Sequence, residues 1–228
     1  MIRYNSFDGI ATIFLDRPQK AHAYNSQMLA LLETAIHETA DHSVCIITST
    51  GDRHFCAGAD TSTFEKRKAE DALRLQSQRI FALLSKNATV YIAAMKGAAI
   101  AGGFELALAC DLRVVHPRVY ASLPEVGLGL IPAAGGCTRL VSFVGPSIAK
   151  AVILGGESIA AEQGVNWGLF HRVSEDPVVE AKRWATDIAK KNPLALQLAK
   201  QILDAPCLEK ERLAEAILYE RKFHGNKT

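Results

Sequence analysis

The sequence has no run of ~18 uninterrupted apolar residues, so no stretch is long and apolar enough to span a bilayer as a helix. It has no excess of one charge. Its 26 Lys and Arg against 24 Asp and Glu leave a net charge of +2, which gives no general argument for nucleic acid or an anionic membrane as partner. Five cysteines (Cys45, Cys56, Cys110, Cys137 and Cys207) form an odd, widely spaced set with no CxxC. That pattern points away from a disulfide framework or zinc knuckle, and towards small core thiols in a reducing, cytoplasmic compartment. The seven histidines show no metal-ligand spacing, so no metal is expected; His22, His54 and His171 read as surface or loop residues. No GxSxG places a serine nucleophile on a strand-to-helix elbow, and Ser122 has no base partner in sequence. The opening stretch MIRYNSFDGIATIFLDRP carries Asp8 and Asp16 and no long apolar region, so neither a signal nor a transit peptide is expected.

What is present is enough apolar residue, 49% of 228 positions, to bury a full core. Ile10–Leu15, residues 44–48, Val90–Met95 and Leu112–Val115 read as strands. Asn25-Ser26 caps a predicted helix to Thr39, with Met28, Leu31, Leu32, Ala35 and Ile36 on one face. Residues 50–60 form a loop, and 70–84 and 104–110 read as helices. Gly135-Gly136 opens a helix through Phe143, another follows Pro146, and a further one covers 161–168. Beyond Pro177 the pattern is helical over 178–191, 193–203 and Leu208–Phe223, punctuated by Pro193 and Pro206. Strands alternating with helices and then helices alone predict an α/β core over 1–176 and a helical region over 177–228. Strand-turn-helix units recur three times before residue 111, without sequence identity between them.

Three features could carry chemistry. In VYIAAMKGAAIAGGFELALACD, residues 90–111, Gly102-Gly103 allows a tight turn into a helix whose first N–H groups are free, with Glu105 in its first turn. Such an end suits a developing oxyanion, although a buried βα crossover with packing glycines fits the same residues. Cys56-Ala57-Gly58-Ala59-Asp60 follows a strand and offers backbone N–H groups without bulk; a plain turn is the bland reading. Leu123-Pro124-Glu125 sets a glutamate in an apolar, glycine-rich segment, which in isolation reads as a surface turn. If Glu105 and Glu125, 20 positions apart, converge, they make an acid/base pair beside the amide donors. That arrangement suits adding water across a polarised C=C or moving a proton along one.

In order and spacing, DRPQKAHAYNSQML, HFCAGADTSTF, KGAAIAGGFELALACDLRV and LPEVGLGLIPAAGGCTRL resemble the crotonase (enoyl-CoA hydratase/isomerase) superfamily over residues 10–223. The resemblance implies a crotonase-like ββα superhelix with a helical C-terminal trimerisation region, shortened here relative to the family. It implies a homotrimer or dimer of trimers acting on an acyl thioester. Coenzyme A, or an acyl carrier protein, would come as part of the substrate, with no other cofactor, no nucleic acid and no membrane. The matching oxyanion donors are the backbone N–H groups of Ala59 and Gly102. The matching substrate positions are Lys20, Ala21 and Ala23 on the coenzyme A loop, then Ala57, Ala59, Asp60, Thr61, Ser62, Gly102, Pro124 and Pro132. Glu105 matches the carboxylate that activates water, and Glu125 the one that exchanges the α-carbon proton. Together they imply hydration of a 2-enoyl-CoA. Enoyl isomerisation needs only one proton carrier, and members doing it often lack a glutamate matching Glu105. Decarboxylation, thioester hydrolysis and a non-catalytic or RNA-binding relative are the alternatives. For the last, residues 180–228 hold ten Lys and Arg against seven Asp and Glu, too small an excess for a nucleic-acid face. Lys66, Arg67 and Lys68 could meet coenzyme A phosphates, or simply form a solvated helix start.

Overall fold

Ten strands and nine α-helices make up the described part of the computed structural model, residues 1–66 and 68–223, apart from the side chains of Thr63, Glu65 and Lys66. The strands are β1 (Ile2–Phe7), β2 (Ile10–Leu15), β3 (Val44–Ser49), β4 (His54–Cys56), β5 (Val90–Met95), β6 (Ala98–Ile100), β7 (Leu112–Val115), β8 (Tyr120–Ser122), β9 (Ile159–Ala160) and β10 (Arg172–Val173). The helices are α1 (Ser26–Glu38), α2 (Ala69–Leu73), α3 (Gln76–Lys86), α4 (Gly102–Ala109), α5 (Gly136–Ile153), α6 (Ala161–Asn166), α7 (Pro177–Ala189), α8 (Pro193–Asp204) and α9 (Leu208–Phe223).

The strands form a six-stranded sheet, ordered β1-β2-β3-β5-β7-β10, and a four-stranded sheet, ordered β4-β6-β8-β9. Only β1 and β9 run antiparallel to their neighbours. Three times in succession the chain gives one strand to the large sheet, one to the small sheet, and then a helix: β3-β4-α2/α3, β5-β6-α4 and β7-β8-α5. This is the expected ββα spiral.

The apolar runs explain the layering. β3 and β5 are buried at every position, as parallel strands covered on both faces must be. Side chains of a strand alternate between faces. Cys45, Ile47, Tyr91 and Ala93 enter the main core with α1, α3 and α4, whereas Val44, Ile46, Ile92 and Ala94 meet Ala181, Ala185 and Ile188 of α7. α8 is then anchored by Lys200. Its buried ammonium donates to Leu84 O and Thr89 O, both at 2.7 Å, and to Asp111 Oδ2 at 2.9 Å. No helix among the described residues is long and apolar enough to cross a membrane.

The two helices expected on either side of Pro146 meet within α5 at Gly145, whose φ of 76° breaks the helical path, and the helix expected over 161–168 ends at Asn166. Two further differences have a plain physical cause. The helix expected over 70–84 breaks at Arg74 and Leu75. α2 buries none of its residues and α3 buries Ser77, Ile80, Phe81 and Leu84, so only the second piece has packing to hold it. The helix expected from Phe104 begins at Gly102 instead, because Ala101, at φ 51°, makes the whole turn in one residue.

Candidate active site

β4, β6 and β8 run parallel and end side by side. Each hands the chain to one of the three features seen in the sequence: β4 to Ala57-Gly58-Ala59, β6 to Ala101-Gly102, and β8 to Pro124-Glu125. The carboxyl ends of parallel strands are where such folds gather ligand-binding loops.

At the first strand end, Tyr24 N–H donates to Gly58 O and Asp60 N–H donates to Tyr24 O, both at 2.8 Å. On an extended segment these groups point to one side, so the Ala59 N–H between them points to the other. At the second, Gly102 opens α4, where the first N–H groups have no intrahelical acceptor. Neither the Ala59 nor the Gly102 N–H meets an acceptor among the described residues. The two amides are close neighbours: a methyl group on Gly58 would lie 3.0 Å from Gly102 N. Glycine is required here by contact. A methyl on Gly102 would fall 1.9 Å from the Tyr24 hydroxyl, and one on Gly103 would fall 2.0 Å from Cys56 O.

Glu105 lies in the first turn of α4 and is 3% exposed. Its Oε1 accepts the Gly136 N–H, from the start of α5, at 2.8 Å. Burial pushes its carboxyl up to about 7; the charge on Glu125 adds to the rise, and the Gly136 hydrogen bond opposes it. Glu125 is 8% exposed, so the surface-turn reading it has in isolation is overturned. Burial raises this carboxyl too, and its Oε2 has no partner among the described residues. The structure therefore brings the two glutamates within electrostatic reach of each other and of Tyr24 and Cys137.

The remaining predicted positions surround this centre. Pro132 is buried close to Gly136. Ala21, Ala23, Ala57, Ala59 and Asp60 are half-buried, whereas Lys20, Thr61, Ser62 and Pro124 are exposed. Lys68 is exposed at the start of α2; Arg67 and the Lys66 side chain lie outside the described residues. A surface cavity of about 350 Å³, lined by Arg53, His54, Arg118 and Tyr120, lies at the opposite ends of β4, β6 and β8 and shares no residue with this centre.

Sequence reasoning missed Arg17, Tyr24, Gly136 and Cys137, although all four lie within its quoted motifs. It also misplaced His22, which is 2% exposed. His22 accepts the Arg17 N–H on Nδ1 at 3.1 Å, and its carbonyl accepts the Cys56 thiol at 3.2 Å. Ala21 and His22 adopt φ of 49° and 58°, left-handed values costing on the order of 1–3 kcal/mol each for such residues, so this loop keeps its shape only because its surroundings hold it.

The ββα spiral is that of the crotonase superfamily. The family model for enoyl-CoA hydratase/isomerase matches residues 5–228. YngF of Bacillus subtilis is 39% identical over 198 residues, covering 84% of this chain and 76% of its own length. The 2,3-dehydroadipyl-CoA hydratase of Escherichia coli is 37% identical over 199 residues, 85% of this chain and 78% of that one. A crystal structure of an enoyl-CoA hydratase subunit from Geobacillus kaustophilus superposes with a TM-score of 0.90 at 32% identity, covering 97% of this chain and 90% of that chain. The chain belongs to the enoyl-CoA hydratase/isomerase family.

Proposed function

We propose that the chain is an enoyl-CoA hydratase, adding water across the double bond of a 2-enoyl-CoA. One observation carries this reading: two unbonded main-chain amides beside a pair of buried glutamates whose carboxyls are both raised. The amides of Ala59 and Gly102 receive the thioester oxygen. Glu105, fixed through one oxygen by Gly136, takes a proton from water as the water oxygen bonds to the β-carbon. Electrons move from the C=C towards the thioester oxygen, where the amides stabilise the enolate; one such donor is worth on the order of 10²–10³ in rate. Glu125, with a free buried oxygen, delivers the proton that completes the α-carbon.

The loop around Lys20, Ala21 and Ala23 and the segment from Ala59 to Ser62 fit the coenzyme A arm. Self-association as a trimer through the helical C-terminal region suits the apolar residues Leu213, Ile217, Tyr219 and Phe223 of α9, which lie 49–59% exposed. The cysteine pattern fits a cytoplasmic location.

The test is turnover of crotonyl-CoA and longer 2-enoyl-CoAs, followed by loss of the conjugated absorbance and by product mass. Hydration adds the mass of one water, and a Glu105→Gln/Glu125→Gln variant falls to background. Full activity in that double variant, or a product of unchanged mass, would sink the proposal.

A further inference from the structure

Arg17 is a strongly charged group beside the centre that the proposed chemistry leaves unused. It follows β2 and is 14% exposed along its side chain. Its Nη1 donates to two acceptors, Ala23 O at 2.9 Å and Asp60 Oδ2 at 2.7 Å. These acceptors flank the Ala59 amide on both sides of its attachment. Ala23 directly precedes Tyr24, whose N–H and C=O hold Gly58 and Asp60; Asp60 directly follows Ala59. One row further back, Ala57 N–H donates to Ala21 O at 3.0 Å. Asp60 Oδ1 meanwhile accepts the Ser62 N–H at 3.1 Å, so its carboxylate is used on both oxygens. The loop carrying these acceptors contains two left-handed non-glycine residues, and Arg17 N–H and O close it through His22.

We infer that Arg17, through its shared hydrogen bonds to Ala23 and Asp60, is a positioning residue that sets the direction of the Ala59 N–H and locks the coenzyme A loop to the oxyanion donor. This rests on the reading of Ala59 as a donor. The physical point is the geometry of the bridge. A donor useful to an oxyanion has to be fixed before the charge forms, because reorganisation during the reaction forfeits its advantage. Ala59 sits on a single-residue bridge with Tyr24 rather than within a strand, so its amide plane is held through the Tyr24 N–H on Gly58 O rather than by a full ladder. A guanidinium held between the carbonyl on one side and the carboxylate on the other fixes both ends of that bridge, and it does so across 43 residues of sequence.

The experiment compares the wild type with Arg17→Met, Arg17→Lys and Asp60→Asn, using crotonyl-CoA turnover and a bound para-aminocinnamoyl-CoA. The absorption of this probe moves to the red as its thioester carbonyl is polarised. A positioning role predicts a loss of about 10–100-fold in kcat for Arg17→Met, with KM changed less than about threefold and a reduced red shift of the probe. Arg17→Lys recovers part of both, since an ammonium keeps the charge but not the planar fork. Asp60→Asn, which keeps an acceptor while removing the charge, gives the same pattern at smaller amplitude, and it stands in if Arg17→Met does not fold. Folded Arg17 and Asp60 variants with lowered Tm but wild-type kcat and red shift would overturn the inference alone. A wild type that neither turns over enoyl-CoA nor shifts the probe would overturn the active-site reading, and the inference with it.

Discussion

Glu105→Gln should make the folded chain more stable at pH 8 while it removes hydration. The carboxyl titrates at about 7 in the folded protein, against an ordinary value of 4.5. The folded state therefore holds this proton more tightly than the unfolded chain. Stability falls as pH rises from 4.5 towards 7, and the penalty is complete above that range. At 1.36 kcal/mol per unit, the span from 4.5 to about 7 amounts to roughly 3 kcal/mol at pH 8. Glutamine removes the charge but keeps an oxygen for the Gly136 N–H. The midpoint of about 7 already includes that hydrogen bond, so the net gain stays at roughly 3 kcal/mol. Urea unfolding of both proteins at pH 8 and pH 5 measures it. The gain should shrink to about 1 kcal/mol at pH 5, where the folded chain is protonated at this position and the unfolded chain only about a quarter so. A variant destabilised equally at both pH values would show that Glu105 carries its charge without strain, and the reasoning from burial would fail.

Other consequences can be checked directly. In ¹³C-carboxyl NMR, Glu105 should titrate near 7 in the wild type and move down in Glu125→Gln, because the Glu125 charge helps to hold the proton on; an unmoved midpoint would separate the two groups. The acid limb of kcat/KM should follow the same midpoint, with activity lost as pH falls through it. Gly103→Ala pushes a methyl to 2.0 Å from the Cys56 carbonyl and should cost about 3 kcal/mol in thermal or urea unfolding. Gly102→Ala meets the Tyr24 side chain, its hydroxyl at 1.9 Å and its Cζ at 2.8 Å, so Tyr24→Phe should relieve the worst of the clash and only part of its cost. Lys200→Met leaves the half-buried Asp111 without its cation and should cost about 3 kcal/mol, part of which Asp111→Asn in the same chain restores.

What was legible in the sequence divides along a physical line. Backbone requirements are local, and they could be read. Apolar runs of strand length marked β2, β3, β5 and β7, and small residues at 57–59 and 102–103 marked the two places where the main chain itself makes contact. The meaning of a charge is set by its partner, and partners lie far off. Arg17 beside Pro18 looks like the polar end of a strand; its acceptor Asp60 is 43 positions away. Lys200 in an amphipathic helix looks solvent-facing; Asp111 is 89 positions away. Glu125 beside proline and glycines looks like a surface turn until the fold withdraws it from water. The helix break at Arg74 and Leu75 belongs with these, since it reflects packing that α3 has and α2 lacks. The spiral turns local rules into chemistry because it brings three strand ends together. Each end contributes one backbone-determined feature, and the charged groups gain defined roles only where those ends meet.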